Sequence, residues 1–335
     1  MKNILVLSDG RPGHYNQSLA VAEAIKQSEP LSDVTLMEVK VKKNRKYLLR
    51  LLLNCNWGRK WLKEHMTPVK IAWFYEGYNY KKSPDIVVSA GKDTSMLNAL
   101  LGMMYDAKTL FVGHPKKLNH DLFSAVLTVL DLGFENQILL DVAPTTIALV
   151  DPEKRSSALL KLGLDENAHY KVLLIGGNGS GYIYDSEDIK NLIEGVNKEN
   201  ENWLVTTSRR TDILFEEKMK KMMNASYFVD YNKEPQRIMK NFLLVAEIVY
   251  VTEESASMVS EAIASGKPVV TLRPTRSNPD TNYQKILEKF EKEKRIVRIS
   301  IEEMKSFKVD MENFHLLQQS SLDELRYKLK EVLNG

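Results

Sequence analysis

Ile4-Leu5-Val6-Leu7 running into Ser8-Asp9-Gly10-Arg11-Pro12-Gly13-His14, and Val172-Leu173-Leu174-Ile175 running into Gly176-Gly177-Asn178-Gly179-Ser180-Gly181, decide the fold. Each is a short unbroken apolar run, then a glycine turn opening toward a helix. Apolar runs without polar alternation are what parallel strands need when both sheet faces are covered. Glycine after such a strand lets the backbone turn sharply and lets a ligand approach the N–H groups of a helix start. The same device made twice predicts an α/β protein of two Rossmann-like domains facing across a cleft.

The rest of the chain alternates in the same way. Strand-like runs fall at 3–7, 34–39, 85–89, 109–112 and 125–129, then at 171–175, 202–206, 226–229, 246–251 and 268–272. Helical patterns fit 15–27, 93–105, 185–198, 212–223, 234–243, 255–265, 281–293 and 321–333. Gly266-Lys267-Pro268 stops the 255–265 helix. Ser186 has Ile189 three residues on, so no full capping box is expected at 185–198, although Asp185, Glu187 and Asp188 suit a helix start. Pro144 and Asp151-Pro152 place the boundary near 143–155, giving domains 1–148 and 149–335, with the last helix able to pack back on the first. At 335 residues, 43% apolar and 27% charged, two ordinary soluble domains are accommodated. No apolar run is long enough to span a bilayer, and charge comes too early at the start for a signal peptide, so a cytoplasmic protein is expected. The single cysteine, Cys55, excludes an internal disulfide and a multi-cysteine metal site, and no bound metal is expected.

Net charge is only +3, yet nine Lys and Arg residues and no acid fill residues 40–63. Leucines, Trp57 and Trp61 are interleaved with them. Such a segment can lie in the interface of an anionic membrane, with Arg50, Trp57, Arg59 and Trp61 in contact. The plainer alternative is a solvated helix with one core face. Confinement to one segment and the lack of a nucleic-acid motif argue against nucleic acid.

Four stretches offer chemistry. In the first turn, helix-start amides and Arg11 suit a phosphate, His14 an acid or base, and Asp9 a proton acceptor; a tight turn capped by His14 is the structural alternative. Gly176 to Gly181 lacks the Lys-Ser/Thr of a P-loop, and its glycines are not spaced as G-x-G-x-x-G, so neither that NTPase type nor an NAD site fits, while a diphosphate on backbone amides does. Arg209 and Arg210, after Thr207-Ser208, suit a sugar-phosphate or form an exposed polar loop. Thr252-Glu253-Glu254-Ser255-Ala256-Ser257-Met258-Val259-Ser260-Glu261 reads as a strand end, a small-residue helix start and a carboxylate in the second turn. Ser255 and Ser257 leave amides for phosphate, and Glu261 can accept both hydroxyls of a ribose.

That last stretch resembles the nucleotide-sugar site of two-domain GT-B glycosyltransferases, notably the transferase that adds N-acetylglucosamine to the lipid-linked peptidoglycan precursor. Ser257, Glu261 and Gly266-Lys267-Pro268 match residue by residue, and Pro12-Gly13-His14 is similar to the Gly-Gly-His loop there. A fuller resemblance, to the Elm mitochondrial-fission family, rests on five ordered motifs: Ser8 to Gln17, Ser89-Ala90-Gly91-Lys92-Asp93-Thr94, Gly176-Gly177, Thr207 to Thr211, and Ser255 to Ala262. The chain departs from many bacterial members at Lys92-Asp93, where Arg-Arg is frequent, and at Glu254, where Asp is.

These resemblances imply a GT-B glycosyltransferase that moves a sugar from a nucleotide-sugar to a bacterial envelope glycan or lipid-linked acceptor, without a bound cofactor. The donor would meet Gly176, Gly177, Ser180, Ser208, Arg209, Arg210, Glu254, Ser255, Ser257, Met258 and Glu261. The acceptor, a glycolipid or oligosaccharide, would meet Arg11, Gly13 and Lys92, with Asp9 or His14 as base if the reaction inverts configuration; a retaining mechanism would need no such base. The basic segment would hold the enzyme at the inner face of the cytoplasmic membrane. A hydrolysing nucleotide-sugar epimerase and a non-catalytic membrane-associated protein of the same fold stay open as alternatives.

Overall fold

The computed structural model describes residues 1–149, 151–198 and 201–334; Val150, within the expected boundary stretch, lies outside them. The chain divides into two compact units, one of Met1–Thr146 together with the helix that begins at Ser321, the other of Ile147–Ser320.

The first unit is built on β1 (Asn3–Ser8), β2 (Asp33–Glu38), β3 (Ile86–Ala90), β4 (Lys108–Val112), β5 (Ala125–Thr128) and β6 (Gln137–Leu139), all parallel, in the order β2-β1-β3-β4-β5-β6. Side chains alternate across a strand, which explains the unbroken apolar runs. Ile4, Val6, Ile86, Val88 and Leu110 share a core with α1 (Pro12–Ser28) and with Leu325 and Leu329 of α12 (Ser321–Asn334). Leu5, Leu7, Val87 and Phe111 face the other way, into a core with α2 (Lys46–Asn54), α3 (Asn56–His65), α4 (Pro68–Phe74) and α5 (Lys92–Tyr105). Burying Leu325 and Leu329 is worth about 1.5–3 kcal/mol each, and Glu324 adds a bond from the Asp141 amide at 3.0 Å.

The second unit repeats the plan. Strands β7 (Tyr170–Leu174), β8 (Asn202–Thr206), β9 (Tyr227–Val229), β10 (Ala246–Thr252), β11 (Val269–Arg273) and β12 (Val297–Ser300) form a parallel sheet in the order β9-β8-β7-β10-β11-β12. Its helices are α6 (Pro152–Leu162), α7 (Ser186–Asn197), α8 (Ile213–Met222), α9 (Met239–Val245), α10 (Ala256–Ala264) and α11 (Thr281–Lys292). In each sheet the strand order reverses once, between β1 and β3 and between β7 and β10. Ligands of open α/β sheets bind outside the strand C-termini at that switch point.

Three expectations are corrected. The helix at 234–243 is α9, displaced to Met239–Val245; Pro235 has no N–H and disfavours the helical conformation of Glu234. A capping box does open α7, with Asp185 rather than Ser186 as cap and Asp188 as its reciprocal partner. The second glycine turn does not run straight into a helix. Gly179 to Tyr182 closes a tight hairpin with Ser180 and Gly181 both at positive φ, and Tyr182–Ile183 then pairs with Arg276–Ser277 before α7 begins. Asp185 takes up the Glu187 and Asp188 amides, so this helix start is already occupied.

Candidate functional site

At the switch point of the first unit, the Ser8 hydroxyl accepts from the Gly10 amide at 3.1 Å, and Asp9 Oδ1 accepts from the Arg11 amide at 3.2 Å. Gly10 permits this turn at φ +76°. The other oxygen, Asp9 Oδ2, lies 2.9 Å from His14 Nδ1 in the first turn of α1, with Arg11 Nε at 3.8 Å. Asp9 is 5% exposed and His14 31%. Burial pushes the Asp9 carboxyl up, but the hydrogen bond and charge of His14, with Arg11, outweigh it and hold the group below the usual carboxylate range. An ionised Asp9 can only accept, so His14 Nδ1 donates this hydrogen bond, and Nε2 is the ring nitrogen not engaged with Asp9. The dyad is packed against the β3–α5 turn: a Cβ on Gly91, which sits at φ +87°, would run into His14 Nδ1. Gly13 lies beside His14 in α1, and the exposed Lys92 is the first residue of α5.

The second unit's switch point carries a denser cluster. The Gly176 amide donates to Thr252 Oγ1 at 2.8 Å, and the Gly177 amide to Glu254 Oε1 at 3.0 Å. The Gly176 carbonyl accepts from the Ser208 hydroxyl at 2.9 Å and from the Thr211 hydroxyl. Both glycines are obligatory: a Cβ on Gly176 would occupy the Glu254 carboxylate, and one on Gly177 would strike the Arg210 carbonyl. Glu254 is wholly buried, and it also accepts from the Tyr184 hydroxyl and from Arg210 Nη2 at 3.4 Å. Burial raises the Glu254 carboxyl above its ordinary range, although Tyr184, Arg210 and the Gly177 amide pull the other way. Glu254 and Ser208 therefore shape the loop from beneath. Arg210 reaches the surface beside Gly179, and Arg209 is exposed.

Glu254 leads directly into Ser255, the N-cap of α10. Ser255 makes no side-chain capping bond, so its hydroxyl does not take up the first amides of α10. Ser257 and Met258 are half-buried in the first turn, and Glu261 is buried on the second. Ser180 is at the exposed hairpin tip, outside this hydrogen-bonded cluster. No group of three or more His, Cys, Asp or Glu able to hold a metal occurs among the described residues.

The sequence reading quoted Thr252 and Thr211 in its motifs but gave them no role, and it missed Tyr184 and the network beneath them. Glu253 is buried and held by Arg298 at 2.8 and 3.2 Å, by Thr271 at 3.0 Å and by Tyr182 at 3.3 Å. Arg298 inside the apolar alternation of Val297-Arg298-Ile299 was the available signal, since a buried charge needs a partner. Of the four residues expected to touch membrane, Trp57 and Trp61 are exposed and Arg50 half-exposed. Arg59 is turned inward: it donates to the Leu53 carbonyl at 2.7 Å and pairs with Asp121 at 2.9 Å, because the end of α2 leaves carbonyls unmet.

No curated protein sequence matches. Among solved structures the chain is similar to the spinosyn forosaminyltransferase SpnP, with 10% identity, TM-score 0.54 and coverage of 98% of this chain and 95% of that one. It is also similar to MurG of Acinetobacter baumannii, with 10% identity, TM-score 0.52 and coverage of 98% and 100%. UDP-GlcNAc 2-epimerase of Methanocaldococcus jannaschii gives 13% identity, TM-score 0.52 and coverage of 100% and 93%. At such identities the likeness is one of fold, the GT-B fold of two Rossmann-like domains. Residues 12–321 match the family described as Mitochondrial fission ELM1, and the chain belongs to that family.

Proposed function

We propose that this protein is a GT-B glycosyltransferase that moves a sugar from a nucleotide-sugar to a glycan or lipid-linked acceptor of a bacterial envelope. The observation that carries the reading is the uncapped start of α10 directly after Glu254, whose carboxylate binds the Gly176–Gly177 loop. The first amides and positive dipole end of α10 would hold the donor diphosphate, with Arg209 and Arg210 adding charge as it leaves. Glu261 would accept from the ribose hydroxyls, and Ser255, Ser257 and Met258 would line the nucleotide. No metal is required for a leaving group stabilised in this way. In the first unit, His14 Nε2 would take the proton from the acceptor hydroxyl, and Asp9 would stabilise the imidazolium that forms, an arrangement suited to inversion at the sugar carbon. Arg11, Gly13 and Lys92 would position the acceptor.

The test is a calorimetric and thermal-shift panel of UDP, GDP, CMP, ADP and NAD with their sugar conjugates. Selective binding of one nucleoside diphosphate, lost in Glu261→Ala, is the expected result. A Glu261→Ala protein that keeps its fold and binds the nucleotide as before would sink the donor assignment. The fold shared with the Methanocaldococcus epimerase favours one other reading, epimerisation of the free nucleotide-sugar. Diphosphate release that depends on a glycolipid extract points to transfer, and release without acceptor points to the epimerase.

A further inference from the structure

The helical layer α2–α4 presents the least ordinary surface of the first unit. Leu49, Leu53, Leu62, Ile71 and Phe74 bury one side of the three helices in a common core with α5. Each helix then sends an i, i+4 apolar pair outward: Tyr47 and Leu51 from α2, Trp57 and Trp61 from α3, Val69 and Trp73 from α4. Leu51 is 66%, Trp57 71% and Val69 83% exposed. Scattered exposed apolar residues are ordinary in a folded protein, but three paired stripes on one layer are not. The helices are locked together, so the stripes move as one. A Cβ on Gly58 of α3 would strike the Leu52 backbone of α2, Lys70 Nζ donates to the His65 carbonyl at 2.7 Å, and the Arg45 guanidinium lies 4.1 Å from the Trp73 ring.

Charge identifies the occupant. Lys43, Lys60, Lys63 and Lys70 are exposed on the same segment, and Arg50 lies 5.2 Å from the Tyr47 ring. Glu64 is the sole acid from Lys40 to Phe74. Two copies of so basic a face repel each other, while a negatively charged surface attracts it. Tryptophan and leucine ringed by lysine match the boundary between lipid headgroups and acyl chains. We infer that the outer face of α2–α4 docks on an anionic lipid bilayer, with Tyr47, Leu51, Trp57, Trp61, Val69 and Trp73 inserted and the lysines at headgroup level. No helix among the described residues is long and apolar enough to cross a membrane, so contact is to one leaflet. The face adjoins the Asp9–His14 dyad through one turn. The Tyr75 hydroxyl, just after α4, donates to the Asp93 carbonyl at 2.9 Å, in the first turn of α5, and Gly91 before that turn packs on His14. A lipid-borne substrate would thus be met on the unit that carries the dyad.

Flotation of the full chain with phosphatidylcholine vesicles, with and without phosphatidylglycerol, tests this. Binding only to the anionic vesicles, weakened by salt and reduced roughly tenfold or more by Trp57→Ala/Trp61→Ala and by Lys60→Glu/Lys63→Glu, is expected, with melting temperatures unchanged. The tryptophan emission should shift to the blue on binding, while Trp203, buried in the second unit, supplies a constant background. Absence of flotation, flotation indifferent to both variants, or a dimer abolished by the tryptophan variant in place of vesicle binding overturns the inference. None of these measurements uses a donor, so failure here and failure of the glycosyl-transfer reading are told apart.

Discussion

The two switch-point loops occupy the same place in two sheets of similar order, and each brings a carboxylate to a glycine turn. What differs is water. Asp9 gives one oxygen to His14, which is a third exposed, whereas Glu254 is bonded inside, to Gly177, Tyr184 and Arg210. A carboxylate that orients a solvent-facing imidazole can take part in proton transfer. One sealed beneath a loop fixes the geometry of amides above it. The same topological position thus carries a partly exposed carboxylate–imidazole pair in one unit and a sealed carboxylate in the other.

The comparison breaks most visibly at His14. His14→Ala should lower turnover by about 10²- to 10⁴-fold with little change in melting temperature, the range for loss of a general base; an active His14→Ala enzyme would leave the dyad without a catalytic part. Gly176→Ala should do the reverse, destabilising the second unit by roughly 3 kcal/mol or more through overlap with the Glu254 carboxylate, read as an earlier unfolding transition in denaturant. Glu261→Ala should weaken nucleotide affinity by roughly 1.5–3 kcal/mol, measured by calorimetry, if its bonds to ribose are charge-assisted. The smallest effect is on pH. Because the folded Asp9 carboxyl lies below its ordinary 3.8, its contribution to stability is present above that value and fades as pH falls through the folded one. Asp9→Asn should therefore flatten the acid limb of the stability curve, by less than about 1 kcal/mol since water reaches His14. An acid limb identical to that of the parent chain would show that the pair does not hold the carboxyl down.

The central strands were readable because both faces of each sheet are covered, leaving runs such as Ile4 to Leu7 and Val172 to Ile175 with no polar interruption. One edge strand of each sheet was not. Gln137–Leu139 is three residues long, and Val297–Ser300 carries Arg298, whose charge makes sense only once Glu253 is seen across the sheet. Asp9 and His14 could be named from the first turn, but their pairing could not, since it depends on Gly91 from a distant strand leaving room for the ring. Asp185 lost its role to Ser186 in the sequence reading because caps are chosen by backbone conformation, and a one-residue shift of the helix start exchanges them. Arg59 looked like part of the basic face until its bonds to the Leu53 carbonyl and Asp121 turned it around.

The position of α12 has a consequence for the order in which the molecule is made. Leu325 and Leu329 complete a core begun by Ile4 and Val6, yet every residue of the second unit is translated between them. On the ribosome, the second unit can close as soon as it emerges, while the first must wait with one face of its sheet only partly covered until Ser321 and the turns after it arrive. The half of the protein synthesised first is thus the half completed last.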